Sequence, residues 1–267
     1  MTVADALEEA RASLALHEAR LLLRHVLGVT AAALEAHPER KVSPADTAAF
    51  RALVARRAAS EPVAYLTGRR EFYGLDFRVT PDVLIPREET ELLVDLALET
   101  QAARILDLGT GSGCLAIAVA KQRPQAAVTA ADASAAALAV ARDNAVRPGV
   151  NIRCLQGDWF APLAGERFDL ILANPPYVAE RDPHLARGDV RFEPRSALAA
   201  GADGLDDIRR IVAQAPAHLV PGGQLCFEHG YDQAAAAAAL LAEAGFIGIE
   251  QRRDLAGILR VSGGRHP

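Results

Sequence analysis

The sequence predicts an α/β protein whose larger domain is a doubly wound, mostly parallel β-sheet. From about residue 103 onward, short apolar runs alternate with segments of helical periodicity, a pattern typical of parallel sheets with crossover helices. Residues 2–60 show helical spacing instead. Residues 71–80 alternate around Gly74, which indicates a β-hairpin connector. We therefore divide the chain into an N-terminal helical domain, residues 1–75, and an α/β domain, residues 76–267.

In the helical domain, apolar residues recur at helical spacing: Leu7, Leu14, Leu21, Leu22 and Val26. Gly28 is a plausible helix stop. Ser43 followed by Pro44 predicts an N-cap and first helical residue, opening a helix that runs through Ala59. This helix carries a basic run: Arg51, Arg56 and Arg57. We interpret the run as a solvated face, with a contact to an acidic partner or RNA as the alternative.

The α/β domain is predicted to contain five strands, four helices and a closing hairpin. The strands are residues 104–108, 127–131, 151–155, 168–173 and 224–228; the helices are 114–121, 134–145, 205–219 and 231–244; the hairpin is 246–253 with 257–261.

Composition restricts the class of protein. The 267 residues are 51% hydrophobic, so a sizeable core is expected. A net charge of −5 and a pI near 5.8 argue against a broad nucleic-acid surface. The three cysteines lack metal spacing, and no metal site is expected. We find no signal-peptide pattern and no membrane-length apolar run. We expect a cytoplasmic protein that binds neither membranes nor nucleic acid. We also expect it to be a monomer.

A glycine-rich turn follows the first strand of the predicted sheet. It reads Asp107-Leu108-Gly109-Thr110-Gly111-Ser112-Gly113, and Asp132 ends the next strand. Glycines let the backbone approach a ligand closely, and an acid at the second strand end can accept both hydroxyls of a ribose. The third glycine of the dinucleotide pattern is missing. A nucleoside with a charged amino-acid tail fits better, with Asp107 facing an ammonium group and Asp132 a diol.

Two further groups follow later strands. The Gly157-Asp158-Trp159-Phe160 segment places an acceptor and an aromatic ring where an adenine amino group and ring would lie. Asn174-Pro175-Pro176-Tyr177 follows residues 168–173 and forms a stiff loop, because each proline fixes its own φ and restricts the residue before it. The Asn174 oxygen and the Pro175 carbonyl can each accept a hydrogen bond from an NH2 group, and Tyr177 can lie against a flat face.

These motifs, in this order, resemble class I S-adenosylmethionine-dependent methyltransferases with a Rossmann-like fold, in which NPPY is shared by enzymes that methylate planar nitrogens. The stretch from Glu61 to Glu91 and the later FEPRSAL, GADGL and PGGQLCFEHG resemble the protein-(glutamine-N5) methyltransferases that act on peptide chain release factors. The resemblance covers nearly the whole chain. One departure is Glu88, where the family usually has a proline.

The resemblance implies a role for each motif. Gly109, Thr110, Gly111, Ser112 and Gly113 would hold the methionine part of S-adenosylmethionine, Asp132 its ribose and Trp159 its adenosine. Asn174 would border both cofactor and substrate. Asn174, Pro175, Pro176 and Tyr177 would grip the glutamine amide, with Asn174, Pro175 and Tyr177 as the catalytic group. The helical domain would supply the surface that recognises the release factor.

Alternative functions stay open at the level of the sequence. A glutamine of a ribosomal protein, or an adenine N6 position in nucleic acid, would use the same NPPY chemistry. A non-catalytic module that has kept the cofactor pocket is disfavoured by the intact glycine turn and Asn174. A nicotinamide-dependent oxidoreductase is disfavoured by the missing third glycine.

Overall fold

The computed structural model describes all 267 residues, which separate into two compact units. The first unit comprises Met1–Arg69 and Arg187–Phe192, and the second comprises Arg70–Ala186 and Glu193–Pro267. None of the helices combines the length and the apolarity that crossing a lipid bilayer requires.

The first unit is built from short helices: α1 (Val3–Ala10), α2 (Leu16–Leu27), α3 (Ala31–Ala36), α4 (Pro44–Ala58) and α5 (Val63–Thr67). The predicted boundaries at Gly28 and Ser43 are confirmed. Gly28 ends α2 in the left-handed conformation, at φ +62°, which glycine adopts without steric cost. The Ser43 hydroxyl accepts a hydrogen bond from the Asp46 amide and caps α4. Leu22, Leu23 and Phe50 form the centre of the unit's core.

The basic run on α4 is neutralised within its own unit. Arg51 pairs with Glu9 at 2.6 Å, Arg56 with Glu61 at 2.5 Å, and Arg57 with Glu18 at 2.8 Å and with Asp189 at 2.6 Å. The interpretation as a solvated face fits Arg51 and Arg56. Arg57 has a side chain only 17% exposed, so it joins the inserted segment 187–192 to α4 rather than facing solvent. Charges already paired in this way offer little to an acidic partner.

The second unit begins one residue into the predicted hairpin, which consists of β1 (Arg69–Phe72) and β2 (Leu75–Arg78). Its main sheet contains β3 (Arg104–Leu108), β4 (Ala127–Asp132), β5 (Arg153–Gln156), β6 (Phe168–Ala173), β7 (Leu219–Glu228), β8 (Ile247–Arg253) and β9 (Leu259–Arg265). The helices are α6 (Glu91–Glu99), α7 (Cys114–Gln122), α8 (Ala135–Val146), α9 (Asp206–Gln214) and α10 (Ala234–Glu243). The strand order is β5-β4-β3-β6-β7-β9-β8, parallel from β5 to β7, with β9 antiparallel to both of its neighbours.

Alternate residues of each central strand enter opposite cores. In β3, Ile105 packs with α6 and α7, whereas Leu106 and Leu108 pack with α9 and α10. Helices therefore cover both faces, as predicted for a doubly wound sheet. The chain leaves β3 toward β4 and β5 and later returns to β6 on its other side. This reversal opens a crevice at the carboxyl ends of β3 and β6, where such sheets bind ligands.

Three predicted boundaries in this unit differ most from the structure. The strand predicted to begin at residue 224 begins at Leu219, as β7. The helix predicted to reach Leu219 ends at Gln214, because Pro216 cannot continue an α-helix, and a short 3-10 turn leads into β7 at Leu219. The last strand continues to Arg265 instead of ending at residue 261. Gly263 makes this possible, because a Cβ atom there would lie only 2.7 Å from the Cys226 sulfur on β7.

Candidate active site

A cavity of about 430 Å³ lies at the carboxyl ends of β3, β4 and β6. Its walls come from the loops that follow these strands, from residues 81–84, 157–159 and 194–197, and from Asp207 and Arg210 of α9. Among the residues predicted to bind a cofactor, Gly109, Gly111, Asp132, Trp159 and Asn174 line it. The volume falls within the range of small-molecule sites.

Asp132 holds the glycine loop in place. One carboxylate oxygen accepts the Gly111 amide at 2.8 Å, and the other accepts the Ser134 amide at 2.8 Å at the start of α8. Gly109 and Gly111 have φ values of +72° and +54°, which only glycine adopts without strain. Burial raises the pKa of Asp132 above its ordinary value. Each oxygen keeps a further lone pair, so the carboxylate can still accept hydrogen bonds from a ligand.

A smaller pocket of about 40 Å³ adjoins the cavity and reaches the buried start of α7. Thr110 and Ser112 line this pocket, and so does Asp107, whose carboxylate accepts the Thr110 hydroxyl at 2.6 Å. Asp107 is 2% exposed, and burial raises its pKa to about 7. The Ser112 hydroxyl is buried without a hydrogen-bond partner, a costly arrangement that a bound polar group would relieve.

Gly113 lines neither space. It caps α7 at φ +80°, and a Cβ atom there would lie 2.9 Å from the Cβ of Ala141 on α8. The geometry therefore requires glycine for the packing of α7 against α8.

Trp159 closes one side of the cavity. Its backbone has a φ of +48°, an uncommon value for a bulky residue. A Cβ atom on Gly109 would lie 3.3 Å from its ring, and its Nε1 donates to the Asp207 carboxylate at 3.2 Å. Asp158, which is predicted to meet an adenine amino group, also lines the cavity; its side chain is 63% exposed and forms an ion pair with Arg210 at 2.5 Å.

The NPPY loop is divided between the cavity and the protein interior. Asn174 and Pro176 line the cavity, while Pro175 and Tyr177 do not. The Asn174 Nδ2 donates to the Thr90 hydroxyl at 2.9 Å. The Tyr177 hydroxyl donates to Glu228 at 2.9 Å. Burial, followed by the charge of Glu228, raises the pKa of Tyr177 well above its ordinary value.

Glu228 was missed by the sequence analysis, and so was Thr90. The Thr90 hydroxyl donates to the Glu228 carboxylate at 2.6 Å, and Glu228 is 1% exposed at the end of β7. Burial raises the pKa of Glu228 to about 7. A signal existed: an acid that ends the apolar run of a central strand is a rare and expensive placement. Its neighbour His229 is fully buried and contacts the Ser262 hydroxyl in the interior.

Glu193 supports another wall of the cavity. Its buried carboxylate accepts the Ile85 amide at 3.0 Å and pairs with Arg87 at 2.5 Å. These bonds tie the loop after β2 to the segment that begins at Pro194.

Two family models match the chain. The Methyltransferase small domain matches residues 88–189, and the PrmC N-terminal domain matches residues 2–68. Among solved structures, a methyltransferase from Pyrococcus furiosus superimposes with a TM-score of 0.57 at 18% identity, over 79% of this chain and 96% of that one. A 16S rRNA methyltransferase of T. thermophilus, solved with AdoMet and guanosine, gives a TM-score of 0.55 at 21% identity, over 74% of this chain and 50% of its own. Sheet order, glycine loop and fold neighbours together define a class I methyltransferase fold.

Curated relatives narrow this class. The release factor glutamine methyltransferase of Bordetella pertussis is 58% identical over 92% of this chain and 93% of its own length. The release factor glutamine methyltransferase of Burkholderia pseudomallei is 53% identical over 94% of this chain and 92% of its own. The chain belongs to the release factor glutamine methyltransferase family.

Proposed function

We propose that the chain transfers a methyl group from S-adenosylmethionine to the side-chain amide nitrogen of the glutamine in the Gly-Gly-Gln loop of peptide chain release factors. The observation that carries the proposal is the orientation of Asn174 at the cavity. The Asn174 Nδ2 donates a hydrogen bond to the Thr90 hydroxyl, so the Asn174 Oδ1 remains available to accept a hydrogen bond from a substrate amide.

The residues around the cavity fit S-adenosylmethionine. Asp132 has lone pairs left for a ribose diol, and the Trp159 ring borders the space for a flat base. The small pocket lined by Asp107, Thr110 and Ser112 suits the polar methionine end of S-adenosylmethionine. The Ser112 hydroxyl has no partner there, and the Asp107 carboxyl group can face the ammonium group. When bound, S-adenosylmethionine supplies an electrophilic methyl group on a sulfonium centre. Gly113 stays outside this set and supports it through packing.

The protein's contribution to catalysis is orientation and electrostatics. An amide nitrogen is a poor nucleophile because its lone pair is delocalised into the carbonyl. The Asn174 oxygen, accepting one hydrogen of the substrate NH2, would turn that lone pair toward the methyl group and stabilise the charge that develops on nitrogen. The second hydrogen would go to the carbonyl of Pro175, which adjoins Pro176 at the cavity wall although Pro175 itself does not line the cavity. Pro176 would line the part of the cavity that receives the substrate amide, and Tyr177 would hold the NPPY loop in place through its hydrogen bond to Glu228. No residue at this end is an evident general base for the leaving proton.

The helical domain, residues 1–75, is proposed to recognise the folded release factor, because the cavity itself has room only for a side chain and a cofactor. An intact release factor should therefore have a much lower KM than a short peptide carrying Gly-Gly-Gln. Equal KM values would contradict this role. Since the substrates are translation factors, we place the enzyme in the cytoplasm, acting as a monomer in translation termination.

Mass spectrometry of release factor incubated with the enzyme and S-adenosylmethionine tests the proposal. We expect one added methyl group on the Gly-Gly-Gln glutamine, and turnover about 10²-fold lower for Asn174→Ala, by analogy with the loss of one oriented hydrogen bond at other sites. Asn151→Ala, which removes an exposed asparagine, is the matched control. Methylation of a ribosomal protein or of nucleic acid instead, with the release factor unmodified, would identify a different substrate and contradict the proposal.

A further inference from the structure

The buried carboxylate of Glu228 joins the two ends of the NPPY loop. Its Oε2 accepts the Thr90 hydroxyl at 2.6 Å, and its Oε1 accepts the Tyr177 hydroxyl at 2.9 Å. Thr90 in turn accepts the Asn174 amide nitrogen at 2.9 Å. Thr90 and Glu228 are 2% and 1% exposed, so water does not compete for these bonds.

Asn174, Thr90 and Glu228 form a series of hydrogen bonds, and the carboxylate of Glu228 sets the direction of both bonds in the series. Burial raises the pKa of Glu228 to about 7, so the carboxylate is ionised above that pH; an ionised carboxylate has no hydrogen and can only accept. Thr90 has one hydroxyl hydrogen, which must therefore go to Glu228. The Thr90 oxygen is then available to Asn174 only as an acceptor. Asn174 must present its NH2 to Thr90, and its oxygen must face away from Thr90.

This direction matters because the two ends of an amide are nearly equal in size but opposite in function. Turned by 180°, Asn174 would present an NH2 group to the cavity. That group would face the substrate's own NH2, donor against donor, and the hydrogen bond would be lost. Shape alone cannot prevent this reversal, whereas a fixed hydrogen-bond direction can.

We propose that Thr90 and Glu228 are positioning residues that fix the Asn174 amide with its oxygen toward the substrate. The inference rests on the proposed function and deepens it, since it assigns the orientation of the catalytic asparagine to residues outside the NPPY motif. The same carboxylate holds the Tyr177 hydroxyl in the interior. Glu228 thereby sets the first and the last residue of the motif together.

Isosteric substitutions can change the direction of these hydrogen bonds while leaving the shapes of the side chains nearly unchanged. In Glu228→Gln the new amide can accept from one hydroxyl only, and its NH2 must donate toward the other. If that NH2 faces Thr90, the threonine hydrogen turns to Asn174 and favours the reversed amide. Thr90→Val removes the hydroxyl at nearly constant volume, which leaves Asn174 without its partner. Thr90→Ser keeps the hydroxyl and is the conservative control.

The experiment measures kcat and KM for methylation of intact release factor, together with S-adenosylmethionine affinity by calorimetry. For Thr90→Val we expect kcat to fall by about 10- to 100-fold, the range for the loss of a buried, charge-assisted hydrogen bond. For Glu228→Gln we expect a smaller fall, in proportion to the fraction of molecules in which the new NH2 faces Thr90 rather than Tyr177. Cofactor affinity should change less than roughly 3-fold, because the Asp132 contacts are intact. Thr90→Ser should recover most of the turnover.

A double-mutant cycle identifies the route of the effect. If Thr90 acts through Asn174, then adding Thr90→Val to Asn174→Ala should lower kcat no further. Additive losses, or Thr90→Val turnover equal to wild type, would overturn the inference while leaving the proposed function in place. Parallel losses of cofactor affinity and melting temperature in every variant, Thr90→Ser included, would show a purely structural role and also overturn it. A wild-type enzyme that binds S-adenosylmethionine but leaves release factor unmodified would overturn the proposed function itself, and this inference with it.

Discussion

The Gly111 amide donates a hydrogen bond to the Asp132 carboxylate at 2.8 Å, across 21 residues of chain. The acid that ends β4 therefore shapes the glycine loop that ends β3. Because Asp132 also binds the Ser134 amide, one carboxylate fixes both the loop and the start of α8. The Asp132 side chain therefore fixes the wall of the cavity at which we propose that the cofactor binds.

Replacement of Asp132 by asparagine should weaken cofactor binding. An asparagine must turn its NH2 toward one of the two backbone amides, and this leaves a donor facing a donor. We expect the dissociation constant of S-adenosylmethionine, measured by calorimetry, to rise by about 10- to 100-fold. Asp143→Asn on α8, an exposed residue paired with Arg78, should bind as the wild type does. Equal affinities for the two variants would contradict the assigned role of Asp132.

Gly109→Ala should disturb both stability and cofactor binding. The residue has φ +72°, and the new methyl group would lie 3.3 Å from the Trp159 ring. Gly149→Ala is the matched control, because its φ is +68° but nothing lies within 4 Å of the new Cβ. Both variants should lose about 1–2 kcal/mol through backbone strain. Only Gly109→Ala should also weaken S-adenosylmethionine binding, by displacing Trp159. Similar cofactor affinities in both would argue against a cofactor contact at Trp159.

The stability effect of Glu228 should depend on pH in a defined direction. Its pKa rises from an ordinary 4.5 to about 7 in the folded chain, chiefly through burial. Between these two pH values, Glu228 is protonated in a larger fraction of folded molecules than of unfolded molecules. The free energy of unfolding therefore falls as pH rises through this window. The full rise corresponds to roughly 3 kcal/mol. The hydrogen bonds from Thr90 and Tyr177 and the charge of Arg260 lower the pKa of Glu228, and the charge of Glu89 raises it, but burial outweighs them.

Glu228→Gln has no such titration. Relative to the wild type, the variant should therefore gain on the order of 2–3 kcal/mol in unfolding free energy between pH 5 and pH 8. Asp107 also titrates near 7, but it is present in both proteins and cancels from the difference. Denaturant unfolding at the two pH values provides the measurement. A difference that stays constant with pH would show that Glu228 does not carry the raised pKa.

Replacing Glu193 should lower the free energy of unfolding far more than replacing an exposed acid. It is buried, and Glu193→Ala would leave the Ile85 amide without an acceptor and Arg87 without its partner, at a cost of about 3–5 kcal/mol. Glu88→Ala removes an acid whose side chain is 83% exposed and lies 3.2 Å from Arg70, and should cost less than about 1 kcal/mol. Thermal melts of both variants, with proteolysis between residues 81 and 87 as a local readout, test this. Comparable melting temperatures would refute the supporting role.

The parts of the site that the sequence predicted are those that one strand and its following loop determine. Asp132 ends a strand of the parallel sheet, and Gly109 and Asn174 each follow one, so their meeting at one edge follows from topology. The pairing of Thr90 with Glu228 spans 138 residues and depends on the rotamers of two side chains. No local pattern specifies such a pair. The boundary error near Leu219 had a visible cause in Pro216, which the helical periodicity outweighed.

The placement of β9 has a consequence for how the enzyme is assembled during synthesis. β9 lies between β7 and β8 although it follows both in the chain, and its Val261 is the partner of Glu228. The glycine loop, Asp132 and the NPPY loop are all translated earlier. A growing chain can thus build its cofactor crevice while β7 still has an open edge. The Glu228 carboxylate, which we propose orients the Asn174 amide, would be secured only when β9 closes that edge, so we expect the ability to hold the cofactor to precede the ability to aim the substrate.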